Sequence, residues 1–365
     1  MDQFSEFIAY KKLLQRKNFS LWMQSAAYNF TGAHNILQEF TETFYLFNNF
    51  QDFVLVMLYI PIFATALSGN ILIIMSVLKD VSWCKARNFF LFNLSVADLC
   101  VTLICMPMAV GMLIYRLWIY GEFLCKVTAF MQGVAITNSI FTLMVMSVDR
   151  YLSLQYAHST QRTTSPQQAI VIIITIWVLA ALIMGPLLFI REIDVLVLPT
   201  LEPMTFCIEN WPQNTDREAY AIFLFFVVYI IPSTTLFLCY IRVFKYVCKQ
   251  EMQRENSDCS TKRLISRRKA ARMLIILVLI FMVCWLPYNI VSLISDIWGS
   301  AWNQLDLLRY ALWLGHSHSA INPVMYWLLN KRFRQQVRRM FRKTKNCGSS
   351  HTCHGFISLP TPKYV

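Results

Sequence analysis

Apolar positions gather into seven long stretches along the chain, near Phe53–Leu78, Phe89–Ile114, Phe123–Leu154, Ala169–Ile190, Tyr220–Val247, Ala270–Ile297 and Leu305–Leu329. Each holds roughly 20 or more mostly apolar residues, enough at about 1.5 Å per residue to cross a hydrocarbon core about 30 Å thick. The pattern predicts an all-α protein, a seven-transmembrane helix bundle. After the last stretch, Asn330–Lys343 alternates Phe333, Val337 and Phe341 with Lys331, Arg332, Arg334, Arg338, Arg339 and Arg342. A spacing of four places the apolar residues on one face, which predicts an amphipathic eighth helix lying on the membrane. In the connection Arg191–Glu218, Val195, Val197, Phe206 and Ile208 alternate around Cys207, a pattern suited to a short β-hairpin. The expected division is therefore 1–52, a flexible glycosylated segment; 53–329, the bundle; 330–343, helix eight; and 344–365, a tail.

A soluble helical bundle has to explain the prolines. Pro61, Pro107, Pro186, Pro232, Pro287 and Pro323 fall inside six different predicted helices. In water each costs about 3 kcal/mol in a helix interior. In a membrane bundle, neighbouring helices, hydroxyl side chains and waters re-satisfy the freed carbonyls. A composition of 56% hydrophobic and only 15% charged residues, with mean hydropathy +0.46, points the same way.

Charge fixes the expected orientation. The net charge of +13 is not spread evenly. Segments Lys79–Arg87, Arg150–Arg162, Arg242–Arg272 and the chain from Lys331 onward hold 24 of the 33 Lys and Arg. By the positive-inside rule these face the cytoplasm and the amino terminus lies outside, a plasma-membrane, multi-pass arrangement. The basic surplus is then a topology signal with some attraction to anionic lipid, and nucleic acid is not an expected partner. Met1–Gln51 lacks an apolar core with a small-residue cleavage site, so the first membrane helix is expected to act as the targeting signal. Asn18 and Asn29 match the glycosylation acceptor pattern on the outer side; Asn93 matches too, but within a membrane helix. Of the 11 cysteines, only Cys125 and Cys207 reach the oxidising side in this topology, which predicts a Cys125–Cys207 bridge. Cys347 and Cys353 are candidate acyl anchors, with an unmodified thiol as the alternative.

An ordered set of motifs follows the same frame: Gly69-Asn70, Asn93-Leu94-Ser95-Val96-Ala97-Asp98, Trp118-Ile119-Tyr120-Gly121 before Cys125, and Asp149-Arg150-Tyr151. Trp177, Pro232 and Tyr240 come next, then Phe281-Met282-Val283-Cys284-Trp285-Leu286-Pro287 and Asn322-Pro323-Val324-Met325-Tyr326. Over roughly Phe53–Lys343 the chain resembles a rhodopsin-like (class A) G protein-coupled receptor. The resemblance implies an extracellular ligand, a heterotrimeric G protein, arrestin and the lipid bilayer as partners, with no cofactor and no catalytic site. It implies a sodium ion held near Asp98, Ser139, Ser319 and Asn322, favouring the inactive state. A water-bridged polar core without an ion is the alternative. Asp98 is costly in mid-membrane unless it faces partners inside the bundle. His318 stands where the family more often has Asn. The resemblance further gives Asp149, Arg150, Tyr151, Tyr240, Phe281 and Tyr326 to activation and G protein coupling, and makes Trp285 a switch beneath the ligand.

Pocket residues bear on the ligand. Gln132, seven residues after Cys125, can hydrogen-bond but cannot neutralise a ligand amine. Leu305–Leu329 has no lysine for a retinal Schiff base. The long loop and the outer carboxylates Glu192, Asp194, Glu202, Glu209, Asp216, Glu218, Asp296 and Asp306 suggest an acidic mouth that attracts a cationic ligand. Among peptide receptors the residues Gln132, Cys207-Ile208-Glu209-Asn210-Trp211 and Arg267-Arg268-Lys269-Ala270-Ala271-Arg272-Met273-Leu274 resemble the orexin, neuropeptide FF and neuropeptide Y receptor group. That likeness implies a basic, C-terminally amidated neuropeptide, with Gln132 meeting the amide, Asp296 meeting an arginine, and Glu209 and Trp285 in the same pocket. Tyr151 stands where orexin receptors carry Trp. A lipid or small metabolite remains the alternative ligand. A transporter wants inverted repeats or a charged pathway, and the sequence shows neither beyond Asp98. No nucleophile–base pair, phosphate loop or metal-ligand spacing suggests an enzyme.

Overall fold

The computed structural model describes residues 50–79, 86–115, 117–155, 164–197, 203–252, 258–298 and 305–347. Asn18, Asn29, Glu202 and Cys353 lie outside them, as do the side chains of Arg150, Asp306, Phe341 and Cys347. Among the described residues eight long helices follow in order: α1 (Phe50–Leu78), α2 (Ala86–Tyr115), α3 (Gly121–Gln155), α4 (Pro166–Met184), α5 (214–252), α6 (Asp258–Trp298), α7 (Leu305–Leu329) and α8 (Lys331–Cys347). After α4 a break at Gly185 and Pro186 leads into one further turn, Leu187–Ile190, and then β1 (Arg191–Leu196) and β2 (Met204–Glu209). Pro186 therefore ends a helix rather than lying within one. Several helices outrun the apolar stretches: α6 starts at Asp258 instead of Ala270, and α8 continues to Cys347 instead of 343. Hydropathy marks only the part that meets lipid, whereas Lys, Arg and Gln carry a helix onward in water.

Two prolines leave a visible imprint on their helices. The turn Val101–Cys105 before Pro107, and Phe225–Ile230 before Pro232, are π-helical. Met106 N–H bonds to Val101 O, and Ile231 N–H to Phe226 O. Proline has no N–H and its ring collides with the carbonyl four residues earlier, Leu103 or Val228 here; the wider turn moves that carbonyl aside.

Outside, the bundle is apolar. Val171, Leu182, Phe189, Phe237, Leu279 and Val283 are all exposed large side chains. Such a girdle suits lipid and not water. Six helices are long and apolar enough to cross a membrane among the described residues; Leu305–Leu329 is not one of them. The reason is its polar content: His316, Ser317, His318, Ser319 and Asn322 lower its hydropathy, and all five are buried. α7 is nonetheless a full helix packed between α1 and α6, turning that stripe inward.

Direct polar contacts lock the helices in register. Trp177 of α4 donates to Asn93 Oδ1 of α2 at 2.7 Å, and Asn93 donates to Asn138 and Thr142 of α3 at 3.1 and 2.9 Å. Asn70 of α1 donates to the Ser319 carbonyl of α7 at 3.0 Å. Asn93 is buried, which removes it as a glycosylation acceptor. α8 is capped by Asn330, whose side chain accepts from Phe333 N–H, and it buries Phe333 and Val337 against Ile73, Val77 and Leu91.

At the other end the hairpin is stapled down. Cys125, at the start of α3, is disulfide-bonded to Cys207 of β2 with Cα atoms 5.7 Å apart. Trp118 N–H donates to Thr205 O at 2.8 Å, and Thr205 Oγ1 donates to Trp118 O at 2.6 Å. Gly121, with φ of 78°, supplies the left-handed turn between Trp118 and α3. Leu196, Met204 and Phe206 form the covered face, while Val195 and Val197 are exposed. The alternation that suggests a hairpin is real, but the register is one residue off on the first strand.

The staple closes a loop with a separation of 82 residues. In the chain-entropy model that contributes about 4–5 kcal/mol. Replacing Cys125 or Cys207 with Ser is expected to lower the thermal midpoint of the detergent-purified protein and to expose the hairpin to proteolysis. An unchanged midpoint and cleavage pattern would contradict the role given to the staple.

Candidate functional site

Between the hairpin and the helix ends beneath it lies a cavity of about 700 Å³. Gln132 of α3, Trp285 and Asp296 of α6, and Glu209 of β2 all line it. Four residues separated by up to 164 positions are thus brought to one space, as the sequence reading requires. The Thr128 and Thr137 hydroxyls also line it, buried and without a hydrogen-bond partner among the described residues. They were not singled out from sequence, since a threonine in a membrane helix usually bonds back to its own backbone.

Antiparallel pairing decides which hairpin charges face the cavity. Register opposes Arg191 to Glu209 and Ile193 to Cys207, so those side chains share the face stapled to α3. Arg191 bonds to Glu209 at 2.6 Å, and Trp211 donates to the other carboxylate oxygen at 3.1 Å. Burial opposes ionisation of Glu209, but Arg191, Trp211 and Arg217 together outweigh it and hold the carboxyl below its usual value. Glu192 and Asp194 point to the opposite face, paired with Ile208 and Phe206.

Asp296 is not a bare acid. Arg217, at the start of α5, donates to it from Nε at 3.0 Å and from Nη2 at 2.6 Å. Arg309 of α7 similarly bonds to Asp52 of α1 at 2.6 Å. Among the described residues the cavity lining carries three arginines, Arg191, Arg217 and Arg309, against two carboxylates, Glu209 and Asp296. The expected acidic mouth is therefore corrected to a charge-paired one. Counting carboxylates along the loops misses it, because the partners come from distant helices.

Below the cavity a polar axis begins at Trp285. The indole is fully buried and donates to His318 Nδ1 at 3.2 Å. Gly315 makes room for it: a β-carbon there would lie 2.7 Å from the indole. Phe281 packs edge-on against the His318 ring at 5.2 Å. His318 Nε2 lies 3.0 Å from Asp98 Oδ1, off the axis of an aligned hydrogen bond. Ser319 donates to the same oxygen at 3.1 Å, and Asn322 to Oδ2 at 2.9 Å. Ser139 Oγ is buried with no hydrogen-bond partner among the described residues. The structure thus gathers Asp98, Ser139, Ser319 and Asn322, but the set does not fit a sodium ion well. A hard cation wants oxygens, and a ring nitrogen holds a place on the carboxylate. His316, next along the axis, accepts from or donates to Tyr59 at 3.1 Å.

At the far end, Thr164 donates to Asp149 at 2.5 Å and Tyr240 pairs with Ser147 at 2.8 Å. Arg242 sits over the Tyr151 ring at 5.8 Å, and Tyr326 packs on Phe333 of α8 at 4.9 Å. Tyr240 and Tyr326 are thus held by different neighbours, one by α3 and one by α8.

Comparison with known proteins adds a family model and three relatives. The family model described as 7 transmembrane receptor (rhodopsin family) matches residues 69–326. A QRFP-like peptide receptor of Branchiostoma floridae is 30% identical over 295 residues, covering 79% of this chain and 77% of that protein. The human galanin receptor type 1 is 29% identical over 297 residues, 80% and 82% of the two chains, and the galanin receptor 2a of Danio rerio is 28% identical over 295 residues, 80% and 78%.

Two outcomes follow from this geometry. Gly315→Ala is expected to destabilise the protein by about 1–3 kcal/mol, because the added β-carbon would lie 2.7 Å from the indole and force the ring to shift; thermal unfolding of the purified variant measures it. Glu209 has a depressed folded pKa, so its contribution is present above the unfolded carboxyl value of about 4.3 and is lost as pH falls through the folded value. The stability gap between wild type and Glu209→Gln should therefore be full at neutral pH and shrink below about pH 4. A gap that does not change with pH would remove the ion pair as its cause.

Proposed function

The chain belongs to the rhodopsin family of seven-transmembrane receptors, and from that premise we propose that it is a plasma-membrane receptor for an extracellular neuropeptide that activates heterotrimeric G proteins. The cavity beneath the hairpin carries this reading. Its volume of about 700 Å³ suits the end of a peptide. The three named relatives are receptors whose names give a QRFP-like peptide or galanin. The hairpin end faces outside, where a Cys125–Cys207 disulfide persists, and the arginine- and lysine-rich ends of α5, α6 and α8 face the cytoplasm. There Asp149, Arg150 and Tyr151 meet the G protein, with Tyr240, Phe281 and Tyr326 adjusting on activation, and arrestin uses the same face.

The ligand end enters towards Trp285. An amidated terminus meets Gln132, and the free hydroxyls of Thr128 and Thr137 take peptide amides or carbonyls. A ligand arginine reaching Asp296 has to displace Arg217, exchanging one ion pair for another. A second reading, a ligand carboxylate that binds Arg217 instead, follows from Arg217 lining the cavity beside Asp296.

Arg217→Ala separates the two. For a basic ligand it removes a competitor from Asp296 and potency holds or improves; for an acidic ligand potency falls at least tenfold. Asp296→Ala should raise the half-maximal concentration of a basic ligand at least tenfold, consistent with about 2–5 kcal/mol for truncating a buried charge pair. The exchanged double variant, Arg217→Asp with Asp296→Arg, restores the receptor's own ion pair. If that variant regains wild-type potency, Asp296 acts on Arg217 and not on the ligand. The reading as a whole is tested by screening amidated peptides and their free-acid counterparts for stimulated guanine-nucleotide exchange. Arg150→Ala is expected to keep surface binding and lose exchange.

A further inference from the structure

The polar axis contains a residue that the receptor reading does not use. His318 is completely buried and sits between two groups of opposite duty: Trp285, which lines the cavity, and Asp98, a carboxylate in mid-bundle. His318 Nδ1 lies 3.2 Å from the indole N–H, which can only donate, and 2.9 Å from the Gly315 carbonyl, which can only accept. Its Nε2 lies 3.0 Å from Asp98 Oδ1. That oxygen also receives Ser319 Oγ at 3.1 Å, while Oδ2 receives Asn322 at 2.9 Å. Both carboxylate oxygens thus face N–H or O–H hydrogens. A cation approaching Oδ1 would have to displace the edge of the His318 ring, whose Nε2 is 3.0 Å away.

Ser139 Oγ is the one proposed sodium ligand without a hydrogen-bond partner among the described residues. One unengaged hydroxyl and a carboxylate already bonded on both oxygens are a poor cage for a hard ion.

We propose that the His318 imidazole occupies the place on Asp98 that a sodium ion would take, closing the ion site and tying Trp285 to Asp98 through protein atoms alone. Sodium would then have no allosteric effect on this chain. The inference rests on the described side chains and stands apart from the identity of any ligand, so its test needs neither agonist nor G protein.

The test is thermal unfolding of the purified full chain in sodium chloride and in choline chloride at equal ionic strength, together with sodium NMR linewidths on the same samples. Wild type should show no difference in midpoint and no line broadening. His318→Asn and, separately, His318→Ser free Oδ1 and supply an oxygen, so sodium should raise their midpoints by about 2 °C or more and broaden the sodium line. Adding Asp98→Asn should abolish both effects. A wild-type midpoint that rises with sodium overturns the proposal without any variant. Two folded His318 variants that ignore sodium overturn it as well, since the ring would then not be what closes the site.

Discussion

Hydrocarbon offers no hydrogen-bond partner, so polar groups that would face it are costly and this bundle turns them inward. From that constraint follow the two π turns that accommodate Pro107 and Pro232. It also orients α7, whose His316, Ser317, His318, Ser319 and Asn322 all turn inward. The clamp of Trp177, Asn93, Asn138 and Thr142 obeys the same rule across three helices. Apolar side chains outside contribute little to helix–helix attraction, because lipid is as apolar as they are. Register is therefore set by the interior polar contacts and by close packing.

Trp285 is where the two halves of the molecule touch. Its ring lines the cavity and its N–H reaches His318, which reaches Asp98. With Gly315 directly against the ring, the indole has no slack on that side. A ligand that shifts the ring must therefore move α7 or break the His318 contact. The contacts of Trp285 with His318 and Gly315 thus couple the cavity floor mechanically to α7.

Charge at the cavity mouth is organised by pairing across elements. Arg191 meets Glu209 through strand register, Arg217 meets Asp296 across α5 and α6, and Arg309 meets Asp52 across α7 and α1. Each pair adds an ionic contact between segments already joined by strand pairing or helix packing. The mouth is neither a cation trap nor an anion trap. Ligand binding there is exchange of partners, which makes selectivity depend on geometry and desolvation more than on net field.

Hydrophobic periodicity, proline placement and charge asymmetry determined from sequence alone that the chain is a multi-helix membrane bundle with an amphipathic α8, because each of these is a local response to solvent. Cys125 and Cys207 were legible for a similar reason: topology left them no other partner. The cavity set of Gln132, Glu209, Trp285 and Asp296 was legible only through the resemblance to peptide receptors. Tertiary structure alone decided that Arg217 sits on Asp296 and that Val195 faces outward while Leu196 is covered. It also decided that His318 lies against Asp98. These are pairings between segments far apart in the chain, and a sequence records which groups are present without recording which carboxylate each cation or ring will reach. That is fixed only when helix rotation and strand register bring a particular pair within 3 Å.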